Sequence, residues 1–146
     1  MVQSEGIDRV NVVALIVRRN SKVLLERRKK DRKVDPGRIA IPGGHVENAE
    51  TLEQTCKREL EEELGLECSD FRHVATFPHD TVSEKQLVHY YSCENWTGIP
   101  TNREADTIFW ASVENLKCLD FEIDRKAVRT ALKRTRPSGK MARREG

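Results

Sequence analysis

One helix near the middle of the chain constrains the fold more than any other segment. Thr51 and Gln54 have the spacing of a capping box, in which each side chain satisfies a backbone N–H group of the other residue. Gly65 ends the helix, since glycine readily takes the left-handed conformation found there. Between these ends, apolar residues recur at every fourth position and form one stripe that a core must cover: Leu52, Cys56, Leu60 and Leu64.

The same helix carries three acidic residues on one face. Glu59, Glu62 and Glu63 stand at i, i+3 and i+4, where like charges repel by a few tenths of a kcal/mol per pair. This face borders the apolar stripe, so partial desolvation strengthens the repulsion and favours a bound cation. Mg²⁺ prefers carboxylate oxygens and keeps waters and substrate phosphates in its shell. From the three glutamates alone, a solvated acidic helix is the alternative.

The residues around the helix decide between these interpretations. Residues 44–66 read GHVENAETLEQTCKRELEEELGL and match the Nudix box at every specified position. The chain therefore resembles the Nudix hydrolase superfamily, and within it the small MutT-like members. The wider resemblance covers residues 10–132 and implies an α/β fold, in which a mixed β-sheet lies between helices in an α/β/α sandwich.

Apolar and β-branched segments place the remaining elements. Residues 10–17, which are almost continuously apolar, predict a buried strand, and a second strand begins at residues 23–25 after a turn at Asn20-Ser21. Residues 39–41 predict a short strand broken by Pro42-Gly43-Gly44. Further strands are expected at 71–77, 86–93 and 108–110, and a last helix begins near Asp124. We predict a single domain over residues 1–135 and a basic, disordered tail over 136–146.

The resemblance implies a role for each matching residue of the box. Glu59, Glu62 and Glu63 correspond to the Mg²⁺ ligands, one of which or a nearby acid also serves as base. The backbone carbonyl of Gly43 corresponds to a further ligand. The residues that support the loop and the helix are Gly44, Glu50, Arg58 and Gly65.

Outside the box, the resemblance implies three more site residues. Glu104 stands in the loop before the Trp110 strand, where relatives supply another catalytic or metal-binding glutamate. An arginine ends the second strand and binds substrate; we favour Arg28 over Arg27, because strand alternation sends only one of them to the cleft. Asp124 corresponds to a base-recognising residue, although a helix cap explains it equally well.

The predicted activity is Mg²⁺-dependent hydrolysis of the phosphoric anhydride in a nucleoside diphosphate joined to a further group, with Mn²⁺ able to substitute. A nucleoside or deoxynucleoside triphosphate, including oxidised forms, is the favoured substrate and would give a monophosphate and pyrophosphate. ADP-ribose, a dinucleoside polyphosphate and a capped RNA end are alternatives. A non-catalytic nucleotide-binding module is the alternative from another class, although such modules usually lose box glutamates that this chain retains.

Composition and charge indicate where the protein is located and which partners it could bind. Charged residues make up 34% of the 146 residues, and no apolar run reaches the roughly 20 residues that span a bilayer. No apolar leader precedes residue 10, so we expect a cytoplasmic protein. Residues 125–146 carry nine basic side chains and one acid, a charge that can attract RNA but is equally consistent with a solvated end. Dimerisation is left open.

Overall fold

The computed structural model describes residues 8–134, which contain seven strands and two helices. The predicted tail at 136–146 lies outside the described residues. In chain order the elements are β1 (Val10–Arg19), β2 (Lys22–Arg27), β3 (Ile39–Ala40), β4 (Gly43–His45), α1 (Leu52–Leu64), β5 (Phe71–Asp80), β6 (Lys85–Cys93), β7 (Thr107–Ser112) and α2 (Glu122–Arg134).

The sheet is mixed, as predicted. Its strands follow the order β3-β2-β1-β6-β5, while β4 also pairs with β1 and β7 with β2. Among the strands of residues 8–134, only β1 and β6 run parallel. The hairpin of β1 and β2 pairs at Arg18↔Val23 and Arg19↔Lys22. Beyond these pairs β4 joins β1 along residues 12–14, while β7 pairs with the whole of β2. The two strands of the hairpin thus diverge and open a cleft between them.

Side-chain alternation along β1 produces the predicted three layers. Val13, Leu15 and Val17 share a core with the apolar stripe of α1. Ala14 and Ile16 point to the opposite face and share a core with α2. Each fully buried valine or leucine of this kind contributes roughly 1.5–3 kcal/mol relative to an exposed one. Neither helix in residues 8–134 has the length and apolar character needed to cross a membrane.

The expected break at Pro42-Gly43-Gly44 is wrong in one respect, because Gly43–His45 continues as strand β4. The pairing with β1 begins at Pro42, whose carbonyl accepts a hydrogen bond from Leu15 N at 2.8 Å. A Cβ on Gly43 would lie 1.9 Å from Val13 O. Gly43 therefore lets the backbone approach β1 more closely than any side chain would permit.

The boundaries of α1 agree with the prediction. Thr51 Oγ1 accepts from Gln54 N at 3.1 Å, and Gln54 Oε1 accepts from Thr51 N at 2.9 Å, which completes the capping box. Gly65 takes the left-handed conformation with φ of 68° and donates its N–H to the last turn. These local features fix where the acidic face of α1 begins and ends.

Candidate functional site

The loop before α1 is held by one arginine. Arg58 binds both carboxylate oxygens of Glu50, at 2.6 Å from Nε and 2.9 Å from the guanidinium terminus, and also donates to His45 O at 3.0 Å. Glu50 accepts further hydrogen bonds from Glu47 N and Thr55 Oγ1. The hydrogen bond from Arg58 is the main cause that lowers the pKa of Glu50 to about 2. These contacts join the loop before α1 to the helix itself, which is the arrangement that a supporting role for this pair would require.

The three box glutamates differ in burial. Glu63 is 4% exposed and Glu59 is 8% exposed, whereas half of the Glu62 side chain is open to solvent. Arg58 donates to Glu59 Oε2 at 2.9 Å and to Glu62 Oε1 at 3.2 Å. The predicted acidic face therefore exists, and its inner edge lies under the sheet while its outer edge meets water.

A fourth carboxylate, which sequence reasoning missed, lies against this face. Glu26 of β2 is only 2% exposed and lies within hydrogen-bonding reach of Glu63. Strand alternation could have located it, since Glu26 shares the face of Leu24, which packs in the core beneath α1. The predicted second strand, which begins at Val23 and ends at Arg27 or Arg28, contains Glu26, but no motif of the sequence assigned this residue a role.

Burial and mutual repulsion shape the electrostatics of these acids. Desolvation raises the pKa of Glu26, Glu59 and Glu63, and for Glu63 the charges of the other two acids raise it further. Glu104 acts in the same direction on all three, although its own side chain is exposed. The structure thus brings Glu104 near the box glutamates, in the position that the resemblance implies.

The loop that carries Glu104 is bound to the C-terminal end of α1. Thr101 N donates to Leu64 O at 2.9 Å, and Arg103 N donates to Glu63 O at 3.1 Å. The Arg103 guanidinium donates to Glu61 O at 3.0 Å, so a positive charge sits where the helix dipole is negative. These bonds satisfy carbonyl groups that the last turn would otherwise leave free, and they fix Glu104 relative to the helix.

The donor set fits a hard divalent cation. Glu63 Oε1 is buried and has no hydrogen-bond partner within residues 8–134, a costly state for an anionic oxygen without a cation. In the same described part of the chain, no three acidic, histidine or cysteine side chains are gathered into a ready ligand set. Arg58 holds two of the candidates, Glu59 and Glu62, so they would have to turn from the guanidinium to share an ion with Glu63.

Gly44 explains how Glu59 fits beneath the loop. A Cβ at Gly44 would lie 2.3 Å from the Glu59 carboxylate, so any other residue would force the end of the Glu59 side chain to move. Gly43 immediately precedes it in β4 and lines the neighbouring cleft. The Pro42-Gly43-Gly44 segment therefore places backbone, rather than side chains, between the acidic face and the cleft.

The cleft beside the acids contains the two substrate-binding candidates. Arg28 and Asp124 both line it, together with residues of β1 and β6. Arg28 is mostly buried and donates to Val34 O at 2.9 Å and to Glu26 Oε2 at 3.4 Å. Arg27 instead donates to Gly37 O on an exposed part of the surface. The two arginines therefore diverge as strand alternation predicts.

The interpretation of Asp124 as a helix cap is wrong. It is the third residue of α2, it is 5% exposed, and its carboxylate accepts from Tyr90 Oη and from Ile41 N. Burial raises the pKa of Asp124 to about 6. A cap would have pointed at its own helix, whereas Asp124 links α2 to β6 and to the residue before Pro42.

His79 and Asp35 also line the cleft and were missed by sequence reasoning. His79 Nε2 lies 2.9 Å from Asp35 Oδ2, and the His79 ring packs edge-on against Phe121 with centroids 4.7 Å apart. They belong to β5 and to the loop after β2, which are far apart in the chain. No local spacing signalled this pair.

Comparison with known proteins agrees with this geometry. The family model described as the NUDIX domain matches residues 8–132. The 8-oxo-dGTP diphosphatase of Escherichia coli K12 is 29% identical over 122 residues, which cover 84% of this chain and 94% of that protein. The nucleoside triphosphatase NudI of Enterobacter sp. strain 638 is 31% identical over 121 residues, which cover 75% of this chain and 86% of that protein.

A solved structure has the same fold. The crystal structure of a MutT NUDIX hydrolase from Burkholderia pseudomallei superposes with a TM-score of 0.76 and covers 85% of this chain and 98% of that one, at 23% identity. At this identity the likeness concerns the arrangement of helices and strands. It agrees with the mixed sheet between two helices described above.

Proposed function

The chain belongs to the NUDIX family of hydrolases, and from this premise we propose that it is a Mg²⁺-dependent pyrophosphohydrolase of nucleoside or deoxynucleoside triphosphates, including oxidised forms. The observation that carries the proposal is the buried carboxylate of Glu63, which has an unpartnered oxygen beside a cleft containing Arg28. An anionic oxygen in that position would be stabilised by a cation. A polyphosphate is a substrate that binds together with a divalent cation. The names of the two relatives support a triphosphate as the substrate.

Glu59, Glu62 and Glu63, together with the Gly43 carbonyl, would hold the Mg²⁺ ion. Such an ion would supply positive charge that offsets the negative charge developing at the reacting phosphorus. Mn²⁺ has the same preference for carboxylate oxygens and could substitute. Arg58 keeps Glu50 and the loop in place, so that Glu59 remains under Gly44.

The remaining side chains of the site would bind the substrate or transfer a proton. Arg28 would donate charge-assisted hydrogen bonds to a phosphate oxygen. Glu104 or one of the box glutamates would take a proton from a water molecule as its oxygen attacks the phosphorus. The bond from that phosphorus to the bridging oxygen breaks, and pyrophosphate leaves from the nucleoside monophosphate. Asp124, which lines the same cleft, would contact the base.

A covalent enzyme intermediate is not part of the proposal. Cys56 is the cysteine on α1, but it is fully buried in the core beneath the sheet. Burial raises the pKa of the Cys56 thiol to about 12, so the nucleophilic thiolate is not formed near neutral pH. A water molecule is therefore the nucleophile we propose.

The test is hydrolysis of a nucleotide panel with Mg²⁺, with Mn²⁺ and with chelator, in which each product is identified. We expect monophosphate and pyrophosphate from one or more triphosphates, and loss of turnover in chelator. If products form only from ADP-ribose, a dinucleoside polyphosphate or capped RNA, and not from a triphosphate, the proposed substrate class is wrong. Nucleotide binding without turnover in either metal would contradict the proposed activity.

A further inference from the structure

Glu26 is a buried acid that the proposed chemistry does not use. It lies in β2 with 2% of its surface exposed, and its side chain points to the same face as Leu24, toward α1. On that face it meets Glu63, itself 4% exposed. Two carboxyl groups from different elements therefore face one another in a space closed to bulk water.

The positive groups nearby do not satisfy this pair. Arg28 contacts Glu26 through a single guanidinium nitrogen at 3.4 Å and gives its Nε to Val34 O. Arg32 acts on both acids only through longer-range attraction. Arg58 is bound to Glu50, Glu59 and Glu62. Glu63 Oε1 consequently has no hydrogen-bond partner within the described part of the chain.

Burying a carboxylate that has an unpartnered oxygen is unfavourable, and placing a second carboxylate against it is more unfavourable. A structural pair would be expected to show a donor for each oxygen. An apolar residue at position 26 would extend the core already formed by Leu24 and Leu60. The acid at this position thus weakens the ion-free fold, which points to a ligand that compensates.

We propose that Glu26 is a further ligand of the divalent cation, so that the site draws carboxylates from strand β2 as well as from helix α1. The inference rests on the proposed function, in which Glu59, Glu62 and Glu63 hold Mg²⁺. It adds an acid from a second element, and it makes Arg28 a neighbour of the ion as well as of the substrate phosphate.

A different role for Glu26 makes a different prediction. If Glu26 only orients Arg28, its removal alters the KM for a nucleotide and leaves cation affinity unchanged. If it is a ligand, its removal weakens cation binding even when no nucleotide is present. The distinction therefore needs a binding measurement on the nucleotide-free protein.

The experiment is titration of the full chain with Mn²⁺, in which the free ion is followed by electron paramagnetic resonance. We expect Glu26→Gln to weaken Mn²⁺ binding about tenfold or more, or to abolish one class of bound ion, since lost metal-site contacts typically cost this much. Glu53→Gln is the matched control, because it removes one negative charge from an exposed position on α1, the helix that carries Glu63. It should bind Mn²⁺ as the wild type does.

A second variant guards against misfolding. Glu26→Met removes the charge with an unbranched side chain suited to the face that Leu24 shares, and both variants are checked by thermal melts. Mn²⁺ affinity equal to the wild type in either folded variant, or no Mn²⁺ binding by the wild type, overturns the inference. The hydrolysis panel tests the proposed function separately, so either proposal can fail while the other stands.

Discussion

Arg58 donates two hydrogen bonds to the carboxylate of Glu50, and the same guanidinium also donates to Glu59 and Glu62. One side chain thus joins the loop before α1 to the acids on its face. The pair is fixed on both sides, since Glu50 also accepts from Thr55 and Arg58 donates to His45 O. Disturbing Glu50 should therefore move the acids that are proposed to hold the cation.

Glu50→Gln tests this coupling through pH. Arg58 lowers the pKa of Glu50 to about 2 from its ordinary 4.5, so the stability it contributes is present above pH 4.5 and is lost as pH falls toward 2. We expect the variant to lose turnover about tenfold or more and to show a flatter decline of stability across that acid window. Urea midpoints measured against pH provide the check, with Glu53→Gln as control. Parallel curves for Glu50→Gln and the wild type would contradict the assignment.

Glu63→Gln tests the buried acid at the centre of the site. Turnover should fall by about a hundredfold or more, because a neutral amide is a much poorer ligand and base than a carboxylate. Desolvation and neighbouring acids raise the pKa of Glu63, so its contribution to stability is lost as pH rises through that pKa. The ion-free variant should therefore melt at a higher temperature than the ion-free wild type above neutral pH. A lower melting temperature in the variant would show that the Glu63 carboxyl has favourable partners in the ion-free protein, instead of being buried without them.

Glu62 is more exposed than Glu63, so its removal tests the effect of losing a negative charge without the effect of burial. Glu62→Gln should reduce turnover about as much as Glu63→Gln does, since the Glu62 carboxylate is also a proposed ligand. Its melting temperature should change little, because half of the Glu62 side chain is solvated. Near-normal rates in both variants would show that the cation site is misassigned.

Local features of the fold could be predicted from the sequence. The capping box, the apolar stripe and the final Gly65 of α1 depend on spacings within one helix, and the structure contains each of them. The hairpin of β1 and β2 and the two faces of the sheet follow from alternation in the same way. The box itself identified the acids that lie on α1.

Contacts between distant segments could not be predicted. Glu26 meets Glu63 only because β2 lies over α1, and Asp124 meets Ile41 and Tyr90 only because α2 begins two residues before it. For Asp124 the boundary also mattered, because α2 begins at Glu122 and the acid therefore does not cap the helix. The pairing of Gly43–His45 with β1 was likewise hidden, because glycines carry no strand pattern.

Arg103→Ala tests whether the end of α1 positions the loop that carries Glu104. The guanidinium lies against Gly65 and donates to Glu61 O, and its removal should cost about 0.5–1 kcal/mol of stability. We expect kcat to fall about tenfold with KM nearly unchanged, because Glu104 is displaced while Arg28 is not. Arg103→Lys should restore part of kcat, and Arg72→Ala, an exposed change on β5, should have no effect. Equal losses in the lysine and alanine variants, or a change confined to KM, would argue against a positioning role.

Asp124→Asn tests the buried acid that links α2 to β6. Burial raises the pKa of Asp124 from 3.8 to about 6, so this group contributes stability below pH 3.8 that is lost as pH rises through about 6. The loss should amount to roughly 3 kcal/mol, and it should be absent in the variant because an amide does not titrate. His79 and Asp35 also act on Asp124, and both remain in the variant. Urea midpoints of both proteins from about pH 4 to about pH 7 measure the difference, with the exposed change Asp70→Asn as control. If wild type and Asp124→Asn lose stability in parallel across that range, Asp124 is ionised throughout and its proposed contact with the base must be that of a carboxylate.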